Sequence, residues 1–173
     1  MLNELSLQLY NRALKLLSIR PRSEKELRER LTGIFQKKHI PSDIIVEQVI
    51  THLKDIKFLD DRSFAEWWVR SRKGYKPKGK IIIRQELLRH GIDRDSIDIV
   101  LNTLYSAEEE QEQASLLAMK RMKVLKTQPR RILQKRLYDF LLSRGFSHAV
   151  IRKTIDEILK KGYNTGILVG EYQ

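Results

Sequence analysis

Apolar residues recur every three or four positions along most of the chain, a spacing that predicts helices separated by short breaks. Leu9, Tyr10, Ala13, Leu14 and Leu17 place one stripe on a first helix from about Leu5 to Ile19, and Pro21 stops it. Ser23 then stands as an N-cap with Glu26 three residues on, a capping box that opens a second helix with Leu27 and Leu31 on its inner face. After a longer stretch, Gly33 to Ile40, either Ser42 or Asp43 caps a third helix carrying Val46, Val49, Ile50 and Leu53.

The same sentence is written twice more. Basic breaks around a proline fall at Arg20-Pro21-Arg22-Ser23, Lys76-Pro77-Lys78-Gly79-Lys80 and Gln128-Pro129-Arg130-Arg131. A helix pattern follows each break, at Leu27–Leu31, Ile83–Leu87 and Leu137–Leu141. Each copy closes on a short apolar helix, at Val46/Ile50/Leu53, Ile97/Leu101/Leu104 and Ile151/Ile155/Ile158. A period of roughly 50 residues with three helices per copy is the mark of a helical array. The expected fold is all-α, an elongated array of three tandem three-helix repeats at 1–59, 60–106 and 107–162, with a loosely docked tail at 163–173. Such arrays offer long surfaces to long partners.

In the second copy, Asp60 is placed to cap a helix, with Asp61 favourable at the positive end of its dipole. Phe64, Ala65, Trp67, Trp68 and Val69 give that helix a broad apolar face, Trp67 being the more exposed of the tryptophans. Ile81 to His90 forms the next helix, Gly91 ends it, and Asp93 or Asp95 caps the one after. The third copy opens in the acidic run Glu108–Glu112 and continues through Ala114, Leu117, Ala118, Arg121 and Leu125. Its second helix spans Arg131 to Ser143 with Gly145 as its stop, and Ser147 caps the last.

Charge changes the picture from a folded helical protein to one with a polyanionic partner. The 173 residues carry a formal charge of +12 and a pI near 10.0. The excess is clustered. Arg62 to His90 holds nine Lys or Arg against Glu66 and Glu86, and Lys120 to Arg136 holds eight and no acid. The first 61 residues, with eleven bases and nine acids, are nearly balanced.

With no cysteine there are no disulfides or thiolate metal sites, which fits a reducing cytosol. The N-terminus lacks the basic head and apolar stretch of a signal peptide, and no apolar run approaches the ~20 residues that cross a bilayer. A cytoplasmic monomer is expected.

Catalytic chemistry is not indicated. Gly74 to Lys80 has the glycine and lysine spacing of a phosphate loop but continues to Ile81 where a Ser or Thr should reach magnesium. It follows a charged helix instead of a buried strand, and Pro77 removes a backbone donor. His39, His52, His90 and His148 show no close ligand spacing, and the Asp60/Asp61 and Asp93/Asp95 pairs are explained by helix capping. No nucleophile stands beside a base. Neither cofactor nor metal is called for.

Specific strings carry a resemblance. Ala13-Leu14-Lys15-Leu16-Leu17, then Arg22-Ser23-Glu24-Lys25-Glu26-Leu27, resembles the opening of the RecX family, regulators of the RecA recombinase. Phe58-Leu59-Asp60-Asp61-Arg62-Ser63-Phe64-Ala65 resembles that family's central Leu-Asp-Asp segment and leads into an aromatic helix ending at Arg70-Ser71-Arg72. Lys78-Gly79-Lys80 through Ile83, Gln85-Glu86-Leu87 and Gly91-Ile92 resembles the basic helix that follows. The longer turn at Thr32 to Pro41 and the tail depart from the family pattern.

The resemblance implies a non-enzymatic modulator that binds the RecA filament on DNA and lowers its ATP hydrolysis, strand exchange and stability. Contact with RecA or DNA is expected at Arg70, Arg72, Lys76, Lys78, Lys80 and Arg84, joined by Lys120, Arg121, Lys123, Arg130 and Arg131. Two other readings fit the charge: an autonomous DNA-binding regulator with Ile81 to Arg89 as recognition helix, and a basic scaffold for RNA or ribosome assembly.

Overall fold

The computed structural model describes residues 4–36, 43–74, 76–125 and 129–164, with side chains at 35–36 and 161–164 excepted. The expected capping choice at Ser42, residues 37–41 of the Thr32–Pro41 turn and the tail beyond 164 lie outside those residues, while 32–36 of that expected turn continue the second helix. Among the described residues there are nine helices and no strand. They run α1 Glu4–Ile19, α2 Glu24–Gln36, α3 Asp43–Asp55, α4 Asp61–Lys73, α5 Lys80–Arg89, α6 Arg94–Leu104, α7 Ala107–Leu125, α8 Arg130–Ser143 and α9 His148–Asn164. The all-α expectation, three helices to each copy, is met.

The starts of these helices show local chemistry at work. Ser23 Oγ accepts the Glu26 N–H at 3.2 Å, one half of the expected capping box. Glu26 does not complete it, because its carboxylate is taken by Arg20 at 2.6 Å, Arg30 at 3.2 Å and Arg22. Asp60 caps α4, accepting from the Arg62 N–H at 3.0 Å and the Ser63 hydroxyl at 2.7 Å. Of the two candidates before α6, Asp93 is the cap, accepting the Ser96 N–H at 2.8 Å. Ser147 caps α9 through the Val150 N–H at 3.3 Å. A complete capping box opens α7: Ser106 Oγ accepts from Glu109 N–H at 3.1 Å, and the Glu109 carboxylate accepts from Ser106 N–H at 3.0 Å.

Two compact units form, one from Met1–Trp68 with Leu87–Val100 and the other from Val69–Glu86 with Leu101–Gln173. In the first, α1, α2 and α3 close over Leu9, Ala13, Leu27, Leu31, Val46, Val49, Ile50 and Leu53, the stripes expected from their spacing. Phe64, Ala65, Trp68, Leu87, Ile92, Ile97 and Val100 are also buried in this unit. Trp68 packs on Phe64 and His90, with ring centres 5.6 and 4.5 Å apart, while Trp67 is half-buried 6.0 Å from Phe64. Both tryptophans therefore serve packing.

The second unit has its core between α7, α8 and α9: Ala114, Leu117, Ala118 and Met122 meet Leu133, Leu137, Leu141, Phe146, Ile151, Ile155 and Ile158. Gln111 Nε2 donates to the fully buried Thr154 hydroxyl at 2.8 Å, so this buried polar group is satisfied by a neighbour 43 residues away. Tyr105 is fully buried in the same unit and gives its hydroxyl to the Lys78 carbonyl at 3.2 Å.

Candidate functional site

The middle break lies in the second unit and is built tightly. Lys76 adopts a left-handed backbone, φ 67°, and its side chain is exposed. Pro77 and Gly79 are buried. The Lys78 N–H donates to the Arg72 carbonyl at 3.1 Å and the Gly79 N–H to the Arg144 carbonyl at 2.9 Å. At Gly79 an added Cβ would stand 2.2 Å from the Gly145 carbonyl oxygen, so only glycine fits there. Ile81 N–H then reaches the Gly145 carbonyl at 3.2 Å, and Lys80 N–H donates to Glu110 Oε1 at 2.9 Å.

Side chains on this break divide by what holds them. Glu86 takes Arg72 Nε on one carboxylate oxygen and Lys78 Nζ on the other, each at 2.6 Å. One acid thereby offsets two of the expected contact residues and fixes where their stems run. Lys80 Nζ lies 5.8 Å from the Tyr105 ring centre, and Lys73 Nζ lies 5.2 Å from the same ring while pairing with Glu109 at 2.8 Å. Burial, with the Glu110 and Glu109 charges behind it, pushes the Tyr105 phenol well above its ordinary value, so the ring stays neutral. Arg70 is exposed and Arg84 half-buried. Tyr105 and Glu86 organise the break, and no motif in the sequence marks either for that task.

On α7 and α8, Lys120, Arg121, Lys123, Arg130 and Arg131 are all exposed. Arg121 lies over the Phe140 ring at 5.5 Å and Arg144 over it at 5.4 Å, so one ring orients two guanidinium groups. Arg130 and Arg131 stand at the start of α8, whose first turn contains no acid and whose N-cap, Pro129, has no side-chain bond to it. Cations at the positive end of a helix oppose its dipole by about 0.3–1 kcal/mol each. Helices α2 and α7 instead put glutamates there. The arginines at α8 are thus placed against helix stability. Further exposed cations sequence reading did not single out are Lys135 and Arg136 on α8 and Arg152 and Lys153 on α9. A cavity of about 380 Å³ lined by Gln134, Lys135, Tyr138, Arg152, Ile155 and Asp156 brings two of them together. Only their helical register reveals this.

No group of acidic or histidine side chains among the described residues could hold a metal ion. His52 and His90 are ring neighbours of Tyr10 and Phe64, and His148 of Tyr138. The loop-like Gly74–Lys80 spacing sits between two helices, so the phosphate-loop reading has no strand to stand on. No described helix is long and apolar enough to cross a membrane.

Fold and surface together define an all-α protein of tandem three-helix domains whose positive charge is concentrated on the second and third. Family models described as the first, second and third three-helix domains of RecX match residues 10–53, 60–101 and 108–155. The regulatory protein RecX of Prosthecochloris aestuarii is 37% identical over 150 residues, covering 86% of this chain and 92% of that protein. RecX of Chlorobium phaeobacteroides is 35% identical over 87% of this chain and 93% of the relative. RecX of Bacillus subtilis is 35% identical, and there the match spans 86% of this chain but 54% of the longer relative. The crystal structure of RecX from Lactobacillus salivarius superposes with a TM-score of 0.77 at 28% identity, covering 88% of this chain and 95% of the other. The chain belongs to the RecX family.

Proposed function

We propose that this protein is a non-enzymatic regulator of RecA that binds the RecA–DNA filament in the cytoplasm and inhibits its ATP hydrolysis, strand exchange and persistence. The observation that carries the reading is the presence, in order, of all three RecX domains. Their charge supports it, since a strongly basic helical surface suits a partner that contains DNA. The protein acts as a monomer, and its affinity for single- or double-stranded DNA alone is weak and indifferent to sequence.

The residues that meet RecA or phosphate are Arg70, Arg72, Lys76, Lys78, Lys80, Arg84, Lys120, Arg121, Lys123, Arg130 and Arg131. Among them Arg72 and Lys78 also pair with Glu86, and Lys80 and Arg121 lie against aromatic rings.

DNA-dependent ATP hydrolysis by RecA on excess single-stranded DNA, with this protein titrated in at fixed salt, tests the reading. Inhibition at substoichiometric protein is expected. Unchanged hydrolysis at saturating protein, alongside tight DNA binding, would leave an autonomous DNA-binding protein in its place.

A further inference from the structure

Two joints in this chain are built to the same plan. In the first unit, the Glu24 N–H at the start of α2 donates to Asp61 Oδ1 at 2.7 Å. In the second unit, the Lys80 N–H at the start of α5 donates to Glu110 Oε1 at 2.9 Å. Each acceptor belongs to the first turn of a lead helix, α4 or α7, and each donor begins the second helix of the preceding copy. A glycine completes each joint. Gly91, φ 85°, follows α5, and a Cβ on it would come within 2.9 Å of Lys25 Cβ on α2. Gly145, φ 81°, follows α8, and a Cβ on it would come within 2.7 Å of the Ile82 nitrogen on α5.

We propose that Asp61 and Glu110 are matched clasps between successive copies, and that Glu110 is a positioning residue which holds the basic break at Lys78 and Lys80 in its binding geometry.

The chemistry is specific. The first N–H groups of a helix have no partner within it, so a buried helix start must find an acceptor elsewhere. Serine supplies one locally at α2, where Ser23 takes the Glu26 N–H. The Glu24 and Lys80 N–H groups are served from 37 and 30 residues away. Glu110 is 6% exposed, so water offers Lys80 no substitute. Around that carboxylate stand the Lys80 N–H and ammonium, which favour its charged form against burial, and its charge also acts on the buried Tyr105 phenol. The break is threaded through the same joint, because Gly79 and Ile81 donate to the Arg144 and Gly145 carbonyls on either side of the Lys80 bond. Loss of Glu110 removes the middle of three consecutive anchors. Lys78 and Lys80 then lose their fixed backbone while keeping their charge.

The positioning half of this inference rests on the proposed RecA reading; the clasp half does not. Glu110→Ala deletes the acceptor, and Glu110→Gln keeps an acceptor of the same size without the charge. Amide hydrogen exchange of the full chain is expected to quicken at Lys80 by about tenfold or more in Glu110→Ala, the signature of a lost buried bond, and to stay near wild type in Glu110→Gln. Inhibition of the RecA ATPase is expected to need several-fold more Glu110→Ala protein, with full rescue by Glu110→Gln and unchanged helicity in both. Unchanged exchange at Lys80 in Glu110→Ala would overturn the clasp. Quickened exchange with wild-type inhibition would overturn positioning. A wild-type protein that leaves the ATPase untouched sinks the RecA reading and positioning together, while the exchange measurement still decides the clasp. Asp61→Ala, read at the Glu24 amide, checks the first joint independently.

Discussion

Charge at single positions here is governed by partners more than by residue type. Glu26 shows the balance: burial raises its carboxylate pKa, but hydrogen bonds and charge from Arg20 and Arg22 outweigh burial and hold it below the ordinary value. Glu110 shows the opposite, since burial outweighs its one cation and raises its carboxylate. The sign of its linkage follows. A carboxylate whose folded pKa lies above the unfolded one favours folding while protonated, and that contribution is lost as pH rises through the folded pKa. Wild-type stability should therefore fall, relative to Glu110→Gln, as pH rises from about 4 toward neutrality, whereas Glu110→Ala should be less stable than Glu110→Gln by about 1–3 kcal/mol throughout. Urea denaturation of the three proteins across that range reads both effects. Glu86 gives a second prediction. Glu86→Gln releases the charges of Arg72 and Lys78, which are 30% and 31% exposed, so water limits the loss to roughly 1 kcal/mol. DNA affinity should rise and its salt dependence steepen, because two cations are freed toward phosphate. An unchanged salt slope would mean that Arg72 and Lys78 do not face the polyanion.

Elements began and ended largely where neighbouring residues told them to. Asp60, Asp93 and Ser147 each cap a helix through an N–H two or three residues on, a range over which sequence order is spatial order. Asp60→Ala should cost about 1 kcal/mol in thermal or urea unfolding. The half-formed box at Ser23 was not legible, because Arg20, Arg22 and Arg30 compete for Glu26 once α2 is packed. The glycines after α5 and α8 read correctly as stops, yet their second duty did not show. At Gly145 a Cβ would come within 2.6–2.8 Å of three Ile82 atoms, the backbone nitrogen among them, whereas at Gly91 it would stand 2.9 Å from the Lys25 Cβ, with its next contact at 3.0 Å on a lysine stem that can move. Gly145→Ala should accordingly lower the melting temperature more than Gly91→Ala, although both incur the ~1–2 kcal/mol penalty of a left-handed alanine. Equal losses would show that the approach of α5 to Gly145 is looser than its geometry states.

At the scale of the molecule, partner binding should follow the total field. Reversing Lys120, Lys123 and Arg131 together to glutamate should weaken binding to DNA or filament by ~10-fold or more and shallow the salt slope, with helicity intact because all three are exposed. Unchanged binding by that variant would move the contact surface to the middle break. Sequence periodicity by itself determined the helices, the three copies, most caps and the clustering of positive charge, since each depends on residues within one or two turns. Only the tertiary structure decided which cations are engaged by Glu86, Tyr105 and Phe140, and that Asp61 and Glu110 reach back to cap an earlier helix. It also decided that residues of the middle copy are shared between two compact units. The reason is physical: a carboxylate within a turn of its donor is announced by spacing, whereas one that arrives from 30 residues away is brought there by the packing of apolar faces, and that packing is blind to the polar groups it carries along.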